Sequence, residues 1–287
     1  MTDRTKTARE LLTFYLEAGV DTLVGEEPID RLADTTATPA SPAPPASAPR
    51  FDEAGAPWRS EKKSFAAAPF SPPPAPRPPA AAPPSPDAAA MTAREAAKSA
   101  GSLDELRAML ERFEGCALKS TATQLVFADG NPDARVMFVG EAPGRDEDIE
   151  GLPFVGRSGK LLDRMMAAIG LDRTSAYIAN IIPWRPPGNR TPTPQESQIC
   201  LPFIRRQIEL ADPDILVCLG GPSAQTLLGI KDGILKTRGR WFPFDTGTHE
   251  IRALATLHPA YLLRQPLQKR LAWRDFIAIK KALVERI

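Results

Sequence analysis

Residues 134–156 read ARVMFVGEAPGRDEDIEGLPFVG. The run Ala134–Gly140 is short and largely apolar, without the alternation of a half-exposed strand, so it reads as a strand buried on both faces of a sheet. Three more runs share this character: Ala176–Ile182, Ile215–Gly220 and Ala253–Leu257. Helical patterns lie between them, at Lys160–Gly170, where Leu161, Leu162, Met165, Met166 and Ile169 recur at helical spacing, and at Glu196–Ala211. Strand and helix in repeated alternation predict an α/β fold, a three-layer sandwich around a central four-stranded parallel sheet.

Outside this core the composition changes sharply. Thr92–Phe113 predicts one or two helices broken near Gly101, with Ser102 as N-cap. Residues 35–90 contain 16 Pro and 17 Ala and no Leu, Ile, Val or Met. Such a stretch cannot bury enough apolar surface to offset its ordering entropy, so a disordered linker is expected there. Before it, Leu11, Leu12, Tyr15 and Leu16 form an amphipathic helical pattern that ends at Gly19, and an acidic segment follows. One helix does not fold alone, so residues 1–34 are expected to dock on the core or on a protein partner. The globular domain is expected to span residues 91–287.

The 287 residues carry 36 basic and 35 acidic side chains, which excludes a histone-like binder but not a local nucleic-acid surface. Residues 231–287 alone hold 12 Lys or Arg against 5 Asp or Glu. Three scattered cysteines argue against a disulfide scaffold and for a reducing, cytoplasmic setting. No apolar run approaches the ~18 residues of a membrane span, and the N-terminus lacks a secretory-signal pattern.

Ligands of open α/β sheets bind beyond the carboxyl ends of the strands. There the sequence places GEAPG and LPFVG (140–156), PWRPPGNR (183–190) and HPAYLLR (258–264). Asn180 within an apolar strand needs hydrogen-bond partners, and His258 sits directly at a strand end. His249, in a polar turn, reads as surface. Taken together and in order, these motifs resemble the family 4 uracil-DNA glycosylases, from about Cys116 to the C-terminus. Related sequences have also been labelled phage DNA polymerase-like.

The resemblance implies uracil excision from DNA in base-excision repair. It implies that Glu141 and Glu147 position water and stabilise a sugar cation, that Asn189 supports catalysis, and that His258 lies beside uracil O2. It further implies that Phe154 stacks on the flipped uracil, that Asn180 reads the base edge, and that Ala142 stands where other families carry a water-activating Asp. The run Tyr261, Leu262 and Leu263 is expected to wedge into the base stack, with Arg264, Arg238 and Arg240 on DNA phosphates. Uracil-containing DNA is thus the expected partner of a monomeric enzyme.

The family also holds a 4Fe–4S cluster on four cysteines. Cys116 and Cys200 match the first and fourth positions, whereas Lys119 and Trp184 occupy the second and third. Cys218, in an apolar run, reads as a small buried residue. No cofactor is therefore expected, and Trp184, Leu118 and Leu201 are the candidate fillers of the vacated space. Two further readings compete: a DNA-binding or damage-sensing protein without turnover, and a variant that crosslinks to DNA. The second requires an Arg-rich insertion with an extra His, which Ile230–Arg240 lacks.

Overall fold

The computed structural model describes residues 86–285. The expected N-terminal helix and most of the Pro/Ala-rich stretch lie outside the described residues. Chain order is α1 (Pro86–Ser99), α2 (Leu103–Arg112), β1 (Ala128–Gly130), β2 (Val136–Gly140), α3 (Arg145–Glu150) and α4 (Arg157–Ala167). It continues with β3 (Tyr177–Asn180), α5 (Pro194–Ala211), β4 (Ile215–Leu219), α6 (Gly221–Leu228) and α7 (Ile234–Thr237). It ends with β5 (Trp241–Asp245), β6 (Glu250–Thr256), α8 (Pro259–Arg264) and α9 (Lys269–Val284).

The strands form one sheet in the order β1-β3-β2-β4-β6-β5. The central four, β3-β2-β4-β6, run parallel, as the apolar runs predict. Side chains alternate between the two faces, and both faces are dry. Met137, Val139, Leu216 and Cys218 pack on the side of α1, α2 and α5, while Val136, Phe138, Val217 and Leu254 pack on α4 and α9. The three-layer α/β expectation holds.

The sheet is wider than expected because antiparallel edge strands flank the parallel four, β1 on β3 and β5 on β6. β1 has only three residues, too few to leave a pattern. β5 contains Pro243, which is tolerated on an edge strand because no ladder donor is needed on its open side. Among the described residues, no helix is long and apolar enough to cross a membrane.

The linker expectation overshoots: α1 begins at Pro86, so residues 86–90 belong to the folded domain. Ala89, Ala93, Ala97 and Ala100 form a stripe at intervals of four, four and three residues, each at most 4% exposed, and α1 lies against α5. A run of alanines thus serves as a close-packing helix face rather than as linker. Ser102 caps α2 by accepting from the Glu105 N–H at 3.2 Å, as anticipated. Because the stripe leaves no room, Ala93→Leu should overpack the interface and lower stability by about 1–3 kcal/mol, read as a reduced urea midpoint. An unchanged midpoint would mean that α1 is not tightly packed.

Candidate active site

The parallel strands deliver three loops and one histidine to the same edge. They enclose a cavity of about 580 Å³ whose lining includes Glu141, Ala142, Phe154, Asn180, Asn189 and His258. The sequence-derived candidates for the base pocket therefore converge, together with Glu147, Tyr261 and Arg264.

Gly140 and Asn180 are paired in register at the ends of β2 and β3. A Cβ on Gly140 would stand 2.4 Å from Asn180 Oδ1 and 2.7 Å from the Phe154 ring, so only glycine lets these two side chains meet. Asn180 is 4% exposed, and its Oδ1 lacks a hydrogen-bond partner. An orphaned buried acceptor costs roughly 1–3 kcal/mol, which a donor on a bound ligand would recover.

Phe154 has φ 55°, a left-handed conformation that costs a bulky residue energy and clusters at functional sites. Arg173 holds it there, donating to Phe154 O and, at 3.2 Å, to Pro153 O, while pairing with Asp129 and Asp163. A Cβ on Gly159 would fall 1.6 Å from Phe154 O, so α4 can approach this loop only through a glycine.

His258 is the N-cap of α8, and its Nδ1 accepts from the Ala260 N–H at 3.1 Å. An accepting Nδ1 is unprotonated, so the neutral ring carries its proton on Nε2. Burial, reinforced by the charge of Arg264, pushes its pKa down to about 4. The ring is thus a neutral donor, tilted 30° to Phe154 with centroids 5.5 Å apart. Gly220, at φ 98°, underlies it: a Cβ there would lie 3.1 Å from His258 Cβ. Gly220 and Arg173 escaped sequence reasoning, although the Gly-Gly pair directly after an apolar run was an available signal.

The two acids differ. Glu141 is half-buried, and desolvation raises its pKa above the ordinary value of 4.5. Glu147 is 7% exposed, and both its oxygens accept backbone N–H groups, Gly144 at 3.0 Å and Gly156 at 3.1 Å. It ties the turn after β2 to the LPFVG segment.

Two expectations for the DNA face need correction. Leu262 is 1% exposed and packs with Leu257 and Ala272, because the helical turn of α8 directs it into the core. It cannot wedge into DNA, whereas Leu263 is 37% exposed. Arg238 is turned inward: it pairs with Asp275, which is 1% exposed, and donates to Leu271 O at 2.8 Å. Arg240 is exposed and lies over the Phe242 ring. His249, as expected, is a surface residue, 3.4 Å from an Asp212 carboxylate oxygen.

The uracil DNA glycosylase superfamily model matches residues 127–277. The chain belongs to the uracil DNA glycosylase superfamily. It is similar to a type-4 uracil-DNA glycosylase of Archaeoglobus fulgidus, 40% identical over 179 residues that cover 61% of this chain and 90% of the relative. A type-4 uracil-DNA glycosylase of Thermotoga maritima is 41% identical over 156 residues, covering 54% of this chain and 80% of its own length. A DNA polymerase of Bacillus phage SP01 is 30% identical over 138 residues, only 14% of that protein. These similarities support the family 4 assignment.

Family 4 is associated with an iron–sulfur cluster, and the donor set here does not fit one. Cys116 and Cys200 are buried with their Sγ atoms 3.9 Å apart. Cys200 is held well above the usual thiol range, first by its hydrogen bond to Cys116 and then by burial. Lys119 Nζ donates to Glu111 O at 2.7 Å and pairs with Glu114, so it turns away from the thiols. Trp184 is 2% exposed and shares one apolar cluster with Cys116, Leu118 and Cys200, against which Leu201 packs. Two thiols and an indole do not supply the four thiolates of such a cluster. Cys218, fully buried in β4, has its thiol pushed up to about 12 by burial. The Trp184 ring is thus part of the packing that joins these segments. Trp184→Ala should lower unfolding stability by about 3–5 kcal/mol in denaturant titrations, and a loss well below that would show that the ring fills no such role.

Proposed function

We propose that this pocket hydrolyses the N-glycosidic bond of deoxyuridine flipped out of DNA, leaving an abasic site. The observation that carries the reading is the orphaned, buried Oδ1 of Asn180, which shares one cavity with Phe154 and a neutral His258. A uracil edge offers an N–H beside a carbonyl, the complement of a carboxamide, and its ring offers a face to Phe154. Extrusion of the base places its O2 within reach of the His258 Nε2–H.

The chemistry follows from where charge develops. As the bond from C1′ to N1 breaks, its electron pair leaves with uracil, and His258 donates a hydrogen bond to O2 without carrying a full charge of its own. The sugar becomes cationic, and Glu141 stabilises it. Water then adds at C1′ and gives its proton to the Glu141 carboxylate, whose raised pKa suits a base. Glu147 acts by holding the acidic loop, since both its oxygens are engaged by backbone. Ala142 takes no part in the proton transfers. Leu263 and Tyr261 stand at the mouth as the wedge, with Arg264 for phosphate, and all these groups come from one chain, in keeping with action as a monomer. The cluster-poor donor set supports turnover without iron.

Glu141→Gln and His258→Ala should each slow single-turnover excision by at least ~10²-fold while DNA binding persists. Uracil release undetectable with the unaltered protein, on single- and double-stranded DNA alike, would overturn the reading in favour of a binding module. Because Glu141 must be ionised, the rate should fall as pH drops through its raised pKa, giving an acid limb above the ordinary 4.5. A rate level down to that value would contradict its role. Protein purified without oxygen should be active and contain negligible iron, whereas four irons per chain, lost together with activity on chelation, would contradict cluster-free action.

A further inference from the structure

Arg185 Nε donates to Asn189 Oδ1 at 2.7 Å. A guanidinium has only donors, so the atom it meets must be the amide oxygen, and this fixes which way the Asn189 amide is turned. The Nδ2 end of Asn189 has no partner among the described residues, and Asn189 lines the cavity. Arg185 is itself anchored: its Nη1 lies 3.8 Å from Asp148 Oδ2, and the Asp148 side chain is 4% exposed. Asp148 also accepts from the Thr123 N–H at 2.8 Å and the Thr123 hydroxyl at 2.9 Å. The segment between, Pro186–Asn189, turns through Gly188 at φ 64° and Asn189 at φ 56°. Its far end is pinned by the two-pronged pair of Arg190 with Glu196, which also closes the capping box of α5 with Thr193.

We infer that Arg185 is a positioning residue which, braced by Asp148, locks Asn189 so that its NH₂ group serves the pocket as a hydrogen-bond donor. The inference rests on the proposed glycosylase reading. It makes Asn189 a donor to an oxygen of the substrate or of the attacking water, not an acceptor that orients that water. Asp148 and Arg185 flank motif residues already singled out, but neither touches the base.

The test compares single-turnover excision of uracil from an oligonucleotide by Asn189→Ala, Asn189→Asp, Arg185→Ala and the Arg185→Ala, Asn189→Ala double variant. Asn189→Asp keeps a charge-assisted partner for Arg185 but removes the donor, so it should fall as far as Asn189→Ala. Arg185→Ala should lose about 10–100-fold, as expected for one hydrogen bond to a charged group, and should add little to Asn189→Ala. Near-normal rates in Asn189→Asp, or fully additive losses in the double variant, would overturn the inference. If Arg185→Ala lowers the melting temperature, Asn189→Asp on the exposed loop still decides. Should the unaltered protein release no uracil, the function reading fails while the lock is tested separately. The side-chain amide ¹⁵N resonance of Asn189 should then shift on Arg185→Lys, and an unmoved resonance would overturn the lock.

Discussion

Four parallel strands held in register set the position of every group in the pocket. Gly140 of β2 is level with Asn180 of β3, and Leu219 of β4 is level with Thr256 of β6, two residues before His258. A parallel ladder ends all its strands on one edge, so residues separated by more than a hundred positions are brought within one cavity. The hydrophobic faces that fix this register are dry on both sides, and a slip by one residue would turn Asn180 into a helix layer.

Close approach at the strand exits then depends on missing side chains. Gly140 gives room to Asn180 and Phe154, Gly159 to the Phe154 backbone, and Gly220 to His258. The strained Phe154 backbone is kept by Arg173, whose guanidinium joins carbonyls and carboxylates from separate segments. Geometry of this kind is held by the surrounding fold, so substitutions distant from the base act on catalysis through position.

Much of this was legible in the sequence, for reasons that differ by residue. The buried strands announced themselves because a strand covered on both faces must be apolar throughout, and the motifs at their ends fell on one edge by topology alone. The three-residue β1 and the Pro-bearing β5 did not, since edge strands need little sequence signal. The alanine stripe of α1 escaped because composition measures how much apolar surface there is, not how closely it packs. Leu262 and Arg238 were misjudged because type suggests a role but orientation assigns it: one faces the core of α8, and the other meets a buried Asp275. No composition or spacing showed that Glu147 spends both oxygens on backbone, whereas Asn180 was legible because a buried amide demands partners.

The chemistry turns on the protonation of His258. A neutral ring that donates through Nε2 suits a departing uracil anion, and the Ala260 N–H dictates that tautomer by occupying Nδ1. Burial and the neighbouring Arg264 hold the ring neutral, with its pKa near 4, well below physiological pH. Nitrogen-15 NMR of the histidine rings between pH 5.5 and 8 tests this most directly. The account predicts a His258 ring with Nε2 protonated and Nδ1 bare across that range. A ring that is doubly protonated at neutral pH, or that carries its proton on Nδ1, would contradict it.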